Sequence, residues 1–205
     1  MSTIDKKAAQ SAKNKIRGII MKYYEIKVAG LTRALPLCPV NDDLYIAGFV
    51  IFGDQELTVA CAKALLEKAP EYDVLITAEA KGIPLAHEMA RQHGDEKYIV
   101  ARKGKKLYMT DVFGVEVHSI TTMATQHLFI DGKDAELMKG KRVLIVDDVI
   151  STGQSLGAIE KLVEKAGGNI IGRMAILAEG DAQDRPDITY LEKLPLFNAS
   201  GDIIG

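Results

Sequence analysis

Short apolar runs alternate with amphipathic segments along most of the chain. Four runs have the length and aliphatic content of buried strands: DVLITAEA, KYIVARK, KRVLIVDD and IIGRMAILAE. Three segments have helical periodicity: QELTVACAKALLEKA, GIPLAHEMARQHG with Gly94 as its predicted end, and GQSLGAIEKLVEKAGG. Strands that alternate with helices of these lengths predict an α/β fold, in which a mostly parallel twisted sheet has helices on both faces.

Three other segments depart from this rhythm. Residues 5–24 are rich in Ala, Lys, Gln and Arg and predict an N-terminal helix. Residues 33–53 contain prolines, a polar turn and two glycines, which suit a small irregular hood. Between residues 103 and 134 the β-branched, alternating pattern predicts an antiparallel excursion. The predicted organisation is an N-terminal helix and hood at 1–53 and a core at 54–205, with a flexible lid at about 102–127.

Composition narrows the class of protein. A chain of 205 residues with 47% hydrophobic and 26% charged residues can bury a sizeable core. No apolar run reaches the roughly 18 residues needed to span a bilayer, and the N-terminus lacks the apolar core of a signal peptide, so we expect a cytoplasmic protein without a membrane partner. Cys38 and Cys61 are isolated and suit core positions rather than a metal site. The net charge of −2 argues against broad nucleic-acid binding.

Two adjacent carboxylates, Asp147 and Asp148, end the strand VLIVDD. Their repulsion and desolvation are costly, which indicates a functional role. A short loop follows, in which hydroxyls, a glycine and the N–H groups of a helix start can hold one phosphate. The residues of this phosphate loop are Ser151, Thr152, Gly153, Gln154 and Ser155. The alternative is simple helix capping by Ser151 and Thr152, which gives no reason for the acidic pair.

Two further loops carry cations beside a glycine. The first follows the strand DVLITA, and its exposed amides and one cation can receive another anionic group; its residues are Glu79, Ala80, Lys81 and Gly82. The second surrounds Gly104 and suits a mobile cover over phosphates; its cations are Arg102, Lys103, Lys105 and Lys106. For either loop, taken alone, the alternative is a solvated surface turn.

Together these segments resemble the type I phosphoribosyltransferases, and VLIVDDVISTGQS is similar to that family's signature for binding 5-phosphoribosyl-1-diphosphate (PRPP). The resemblance covers the chain from about Arg33 onward. It implies that Asp147 and Asp148 are catalytic residues that face the ribose hydroxyls and the developing positive charge. It also implies that the phosphate loop holds the 5′-phosphate and that residues 79–82 hold the diphosphate.

The same resemblance implies a reaction, a cofactor and an assembly. A ring nitrogen of a base would displace diphosphate from C1 of ribose through an oxocarbenium-like transition state. Mg²⁺ is expected, bound with the diphosphate of PRPP rather than in a metal site of the protein, because phosphates, hydroxyls and water suit that hard ion. The lid that begins at Arg102 and Lys103 would cover the substrate and complete a neighbouring subunit's site in a homodimer.

The base is predicted from the hood and from one departure. GFVIFGD resembles a stretch of the adenine branch and implies base contacts from Ile51, Phe52 and Gly53. The lid and VHSITTMAT are more similar to xanthine phosphoribosyltransferases and to the purine-repressor effector domain. Xanthine-type enzymes carry a Lys where this chain has Glu179, and a carboxylate can only accept a hydrogen bond, which suits an amino group. Adenine is therefore predicted, with xanthine or hypoxanthine/guanine as the alternatives.

Three questions stay open at this stage. Glu179 can instead form an ordinary ion pair with Arg185 or Lys81. Many adenine enzymes carry a Glu in the lid, and the matching position here is Thr122, so the proton-transfer group is unassigned. The purine-repressor resemblance also raises a non-catalytic regulator that senses PRPP. The residues ahead of the hood are too few for the winged-helix domain of such proteins, so an enzyme is favoured.

Overall fold

Five parallel strands form the central sheet of the protein in a computed structural model, which describes residues 22–118 and 125–204. Across all its sheets, the described part of the chain has the strands β1 (Tyr23–Val28), β2 (Leu31–Pro39), β3 (Tyr45–Ala47), β4 (Val74–Ala78), β5 (Ile99–Ala101), β6 (Phe113–His118), β7 (Thr125–Ile130), β8 (Arg142–Ile150), β9 (Asn169–Glu179), β10 (Thr189–Leu194) and β11 (Leu196–Phe197). The helices are α1 (Gln55–Leu66), α2 (Ile83–His93), α3 (Gly132–Met138) and α4 (Gln154–Lys165), and a 3₁₀ turn spans Gly180–Asp184.

The central sheet has the strand order β10-β9-β8-β4-β5, and every neighbouring pair is parallel. Its middle strand β8 alternates between two apolar layers. Leu144 and Val146 pack with α1, α2 and the hood, whereas Val143 and Ile145 pack with α3, α4 and the β6–β7 hairpin. Both faces are therefore covered, which explains why the strands read as continuous apolar runs. The α/β prediction is confirmed.

The hood is a second sheet, antiparallel, with the order β1-β2-β3-β11. It includes a strand from the C-terminal end of the chain, so residues on both sides of position 53 form it. The division at that position stays a prediction. Arg33 of β2 joins the hood to α1, because its guanidinium donates to the N-cap residue Asp54 at 2.6 and 3.0 Å.

The predicted antiparallel excursion is confirmed as the β6–β7 hairpin, in which Phe113 pairs with Ile130 and Gly114 with Phe129. Residues 119–124 at its tip lie outside the described part. The predicted helix at 5–24 also lies almost entirely outside it, and its last two residues begin β1 instead. Cys61 is buried and Cys38 half-buried, as expected of core positions. In the described ranges we find no helix with the length and apolar character of a membrane span.

Candidate active site

A cavity of about 350 Å³ opens at the carboxyl ends of β4 and β8. Parallel strands that lie side by side end at the same edge of a sheet, and their following loops meet there. The cavity is lined by Ala78, Glu79, Ala80, Lys81, Lys103, Asp147, Asp148, Val149, Ile150, Ser151, Thr152, Gly153, Gln154, Ser155 and Leu156. The structure thus brings together the acidic pair, the phosphate loop, most of the 79–82 loop and one lid cation. Val149 and Leu156 are wall residues that the sequence pattern did not single out.

The phosphate loop leads directly into helix α4. Gly153 is the N-cap residue, has a φ of +75° and leaves the helix without a side-chain cap. Such a φ favours glycine. Capping by Ser151 and Thr152, the alternative reading of this sequence, is therefore wrong. The N–H groups of the first turn of α4 face a cavity lined by three hydroxyl side chains, which is the chemistry of a phosphate site.

The acidic pair is stabilised by one cation. Asp148 is only 2% exposed, and its Oδ2 lies 3.0 Å from Nζ of Lys81. The N–H of Asp148 donates to Oδ1 of Asp147 at 2.9 Å. Burial, followed by the neighbouring charge of Asp148, raises the pKa of Asp147 to about 7. The two carboxylates therefore share a site in which one charge is compensated and the other is costly.

The 79–82 loop lies against the acidic pair at Gly82. A Cβ atom at this position would come within 2.3 Å of Oγ1 of Thr77 and 2.8 Å of Oδ1 of Asp147. Any side chain would therefore push the loop away from β4 and β8. Glycine is required here by close packing, which also keeps Lys81 within reach of Asp148.

Thr77 is a site residue that the sequence analysis missed. Its side chain is fully buried at the end of β4, and Oγ1 has no hydrogen-bond partner among the described residues. Among the described residues, the other buried side-chain atom without a hydrogen bond is Oδ2 of Asp148, because its contact with Lys81 lacks hydrogen-bond geometry. Asp148 lines the cavity, and Oγ1 of Thr77 lies against Gly82 in the neighbouring loop, so both unsatisfied groups are at or beside the site. A threonine inside the run VLITA carries no sequence signal of this kind.

The base of the lid is organised around Glu79. Its carboxylate accepts hydrogen bonds from Nε of Arg102 at 3.1 Å and from the N–H of Lys103 at 3.1 Å. The N–H of Lys103 and the guanidinium of Arg102 keep the pKa of Glu79 below its usual range. Lys103 lines the cavity, whereas Arg102, Lys105 and Lys106 do not. Lys105 lies over the ring of Phe129, 5.5 Å from its centroid. Substrate binding by these lid cations stays a prediction.

The predicted base-binding residues of the hood do not line this cavity. Ile51 is fully buried, Phe52 is 51% exposed and Gly53 has a φ of +80°. Ile51 and Gly53 line a second cavity of about 550 Å³ beside α1 and α2, which shares no lining residue with the first. Their contact with a base stays a prediction.

Glu179 ends β9 and is free of the ion pairs considered above. Arg185 pairs with Asp187 at 2.7 Å, and Lys81 pairs with Asp148. The backbone of Glu179 pairs with Leu194 of β10, but its carboxylate accepts no hydrogen bond from the described residues. Burial raises the pKa of Glu179, and the nearby charge of Lys81 partly opposes the rise. Lys81 thus interacts electrostatically with both Asp148 and Glu179, which places Glu179 near the cavity. Thr122, the position considered for proton transfer, lies outside the described residues.

The acidic pair generates a prediction about pH. The pKa of Asp147, about 7, exceeds the usual aspartate value of about 3.9, so the folded state binds this proton more tightly than the unfolded state. The stability that protonated Asp147 contributes to the folded state is fully present below about pH 4 and is lost as pH rises through about 7. Asp147→Asn cannot ionise, so its free energy of unfolding should gain on the parent by on the order of 1–3 kcal/mol between about pH 5 and pH 8. Denaturant titrations at both pH values measure this, and a constant difference would contradict it.

Thr77 generates a second prediction. Thr77→Val keeps the shape of the side chain and removes a buried hydroxyl without a partner, so the substrate-free protein should become more stable by about 1–3 kcal/mol. The matched control is Thr58→Val, because the hydroxyl of Thr58 donates to the carbonyl of Asp54 at 2.7 Å. We expect the control to lower Tm and Thr77→Val to raise it. Equal losses in both variants would show that the Thr77 hydroxyl has a partner.

Comparisons with known proteins agree with this site. The family described as "Phosphoribosyl transferase domain" matches residues 54–198. A hypoxanthine/guanine phosphoribosyltransferase of Methanothermococcus okinawensis is 32% identical over 78% of this chain and 84% of its own length. An adenine phosphoribosyltransferase of Mycobacterium tuberculosis is 29% identical over 84% of this chain and 78% of its own. The crystal structure of adenine phosphoribosyltransferase from Thermoanaerobacter pseudethanolicus has the same fold, with a TM-score of 0.61, 24% identity and coverage of 84% of this chain and 95% of that one. The chain belongs to the phosphoribosyltransferase family of pentosyltransferases.

Proposed function

We propose that the protein is a purine phosphoribosyltransferase that converts PRPP and adenine to AMP and diphosphate. The observation that carries the proposal is the single cavity in which an acidic pair lies between a phosphate loop and a lysine-bearing loop. Curated relatives that cover most of the chain are purine phosphoribosyltransferases, which supports a purine as the second substrate.

The charges of the cavity suit displacement at C1 of the ribose. A ring nitrogen of the purine forms the new bond to C1, and the diphosphate leaves with the electron pair of the bond that breaks between C1 and its oxygen. The nitrogen releases its proton to water. Positive charge develops on the sugar during this exchange. Asp147 and Asp148 stabilise that charge from fixed positions at the end of β8, and Asp148 is almost fully shielded from bulk water.

The two loops bind the 5′-phosphate and the diphosphate of PRPP. The 5′-phosphate lies in the 151–155 loop, where N–H groups of α4 and hydroxyls donate to it. The diphosphate lies at Lys81 and Gly82. Lys81 is paired with Asp148 in the substrate-free structure. When ribose hydroxyls hydrogen-bond to Asp148, Lys81 becomes available to the diphosphate, so one cation serves both states.

Mg²⁺ fits this site as a companion of the diphosphate. Within residues 22–118 and 125–204, no group of three His, Cys, Asp or Glu side chains is arranged to hold a metal ion. Beside the loop assigned to the diphosphate, the site does offer a buried Asp148 oxygen without a hydrogen bond, which suits a hard cation that takes most of its oxygen ligands from substrate. When bound, Mg²⁺ would offset the negative charge that develops on the leaving diphosphate.

Glu179 supports adenine as the base. A carboxylate that accepts no other hydrogen bond is available to the exocyclic amino group of adenine and repels the oxygen at that position of other purines. The second candidate is hypoxanthine or guanine. It is favoured by the relative from Methanothermococcus okinawensis and by the burial that raises the pKa of Glu179, since a protonated carboxyl can donate to an oxygen.

Base choice is tested by kcat/KM for adenine, hypoxanthine, guanine and xanthine. We expect adenine to be the best substrate of the parent. Glu179→Gln should lower kcat/KM for adenine by about tenfold, because the amide oxygen still accepts a hydrogen bond but without the negative charge that strengthens it. It should raise the value for hypoxanthine, because an amide can donate to oxygen. The matched control is Glu192→Gln on the exposed face of β10, which should leave the order of substrates unchanged.

Two results would contradict the adenine proposal while leaving the reaction class intact. One is a parent that prefers hypoxanthine, guanine or xanthine. The other is an unchanged order of substrates in Glu179→Gln. PRPP binding without turnover of any purine would instead contradict the enzymatic proposal and favour a PRPP-sensing regulator.

The acidic pair is tested by Asp148→Asn. Because Asp148 stabilises the transition state, kcat should fall by about 10²- to 10³-fold, a magnitude typical of one lost electrostatic contact. The Kd for PRPP, measured by calorimetry, should change far less. Asp73→Asn is the control, since Asp73 pairs with Arg142 at 2.8 Å at the opposite end of β8. Equal kcat values for Asp148→Asn and Asp73→Asn would remove the reason for a catalytic acidic pair.

A further inference from the structure

Arg185 lies beside the phosphate loop and is not explained by the roles above. It follows the 3₁₀ turn that begins after β9. Its Nε and Nη2 atoms donate to the two carboxylate oxygens of Asp187 at 3.0 and 2.7 Å. Its third nitrogen, Nη1, has no hydrogen-bond partner among the described residues. That nitrogen lies 3.0 Å from the point that a Cβ of Gly153 would occupy.

The orientation of this guanidinium is fixed by a chain of ion pairs. Two parallel hydrogen bonds to one carboxylate hold an arginine fork in a single plane. Asp187 also lies 3.5 Å from Nε of Arg173, and Arg173 pairs with Glu160 of α4. The chain therefore joins Arg185 to the helix whose first turn forms the phosphate loop. Arg185 and the loop are held as one unit.

The phosphate loop has no cation of its own. Residues 151–155 carry no positively charged side chain, so a phosphate there would be bound by N–H groups and hydroxyls alone. Lys81 and Lys103 line the same cavity but belong to the two loops on the other side of the acidic pair. Arg185 does not line the cavity, so it approaches the loop from the outer side. A cation this close to Gly153 still interacts appreciably with a charge held in the loop, because screening near a protein surface is incomplete.

We propose that Arg185 supplies the positive charge for the phosphate monoester held by residues 151–155, and that Asp187 is the positioning residue that turns Nη1 toward the loop. The inference rests on the proposed function, because it takes this loop as the 5′-phosphate site. A Cβ at position 153 would come within 3.0 Å of Nη1, so a side chain there would displace the guanidinium from the loop. The positive φ and the nearby guanidinium therefore both favour a glycine at position 153.

The experiment compares two ligands that occupy different ends of the cavity. Ribose 5-phosphate carries the monoester, and pyrophosphate carries only the group assigned to the 79–82 loop. In calorimetry, Arg185→Gln should raise the Kd for ribose 5-phosphate by about tenfold and leave the Kd for pyrophosphate unchanged. The dependence of the ribose 5-phosphate Kd on salt should also become weaker, because one cation has been removed.

Three further variants separate charge from packing. Arg185→Lys retains the charge without the fork and should recover part of the affinity. Asp187→Asn removes the charged clamp and should cost about threefold. Arg142→Gln is the matched control, because Arg142 is also paired with one aspartate but lies at the amino end of β8, remote from the loop. It should leave both Kd values unchanged.

Each outcome decides the inference. An unchanged Kd for ribose 5-phosphate in Arg185→Gln would overturn it, as would an equal loss for both ligands, which would indicate general disruption. A parent that binds ribose 5-phosphate in an Arg185-dependent manner but turns over no purine would support the inference and refute the proposed enzyme. A parent that binds neither ligand would overturn both.

Discussion

The parallel pairing of β4 with β8 is the constraint on which the site depends. Val74 aligns with Val143 and Ile76 with Ile145, so both strands end at the same edge of the sheet. The loops that follow them come from distant parts of the chain, yet Lys81 and Asp148 meet at 3.0 Å. The close approach of Gly82 to Thr77 and Asp147 completes the contact. A bulky residue at position 82 would separate the two loops without changing either strand.

Buried polar groups without hydrogen bonds are concentrated at this edge of the sheet, although none of them is needed for folding. The described part of the chain leaves two buried side-chain oxygens without hydrogen bonds, on Thr77 and Asp148, and both lie at this edge. Burial also raises the pKa of Asp147. Apolar replacements should make the region more stable, which supports a role of these polar groups in the proposed binding rather than in folding. The surrounding apolar layers on both faces of β8 provide the stability that the site lacks.

The sequence predicted the architecture and the polar and charged members of the main cavity, because both depend on local patterns. Continuous apolar runs specify buried parallel strands, and residues at strand ends share one edge of the sheet. Long-range contacts were not predictable in the same way. The strand β11 joins the hood from the C-terminal part of the chain, and its two residues are too few to show a periodic pattern in the sequence. Thr77 and Arg185 are significant because of neighbours that are remote in sequence. The ion pair between Glu79 and Arg102 is a further long-range contact of this kind.

Under the proposed function, the order of charges at the site gives PRPP only one orientation. Arg185 lies on the outer side of the phosphate loop at one end, the acidic pair lies in the middle, and Lys81 and Lys103 lie at the other end. PRPP has the complementary order, with a phosphate, a sugar that becomes cationic and a diphosphate. Turned end for end, it would place two phosphates in a loop shaped for one. In the proposed reaction, displacement of diphosphate therefore takes place at the lysine end, where the cations would stabilise the leaving group while the carboxylates would stabilise the sugar.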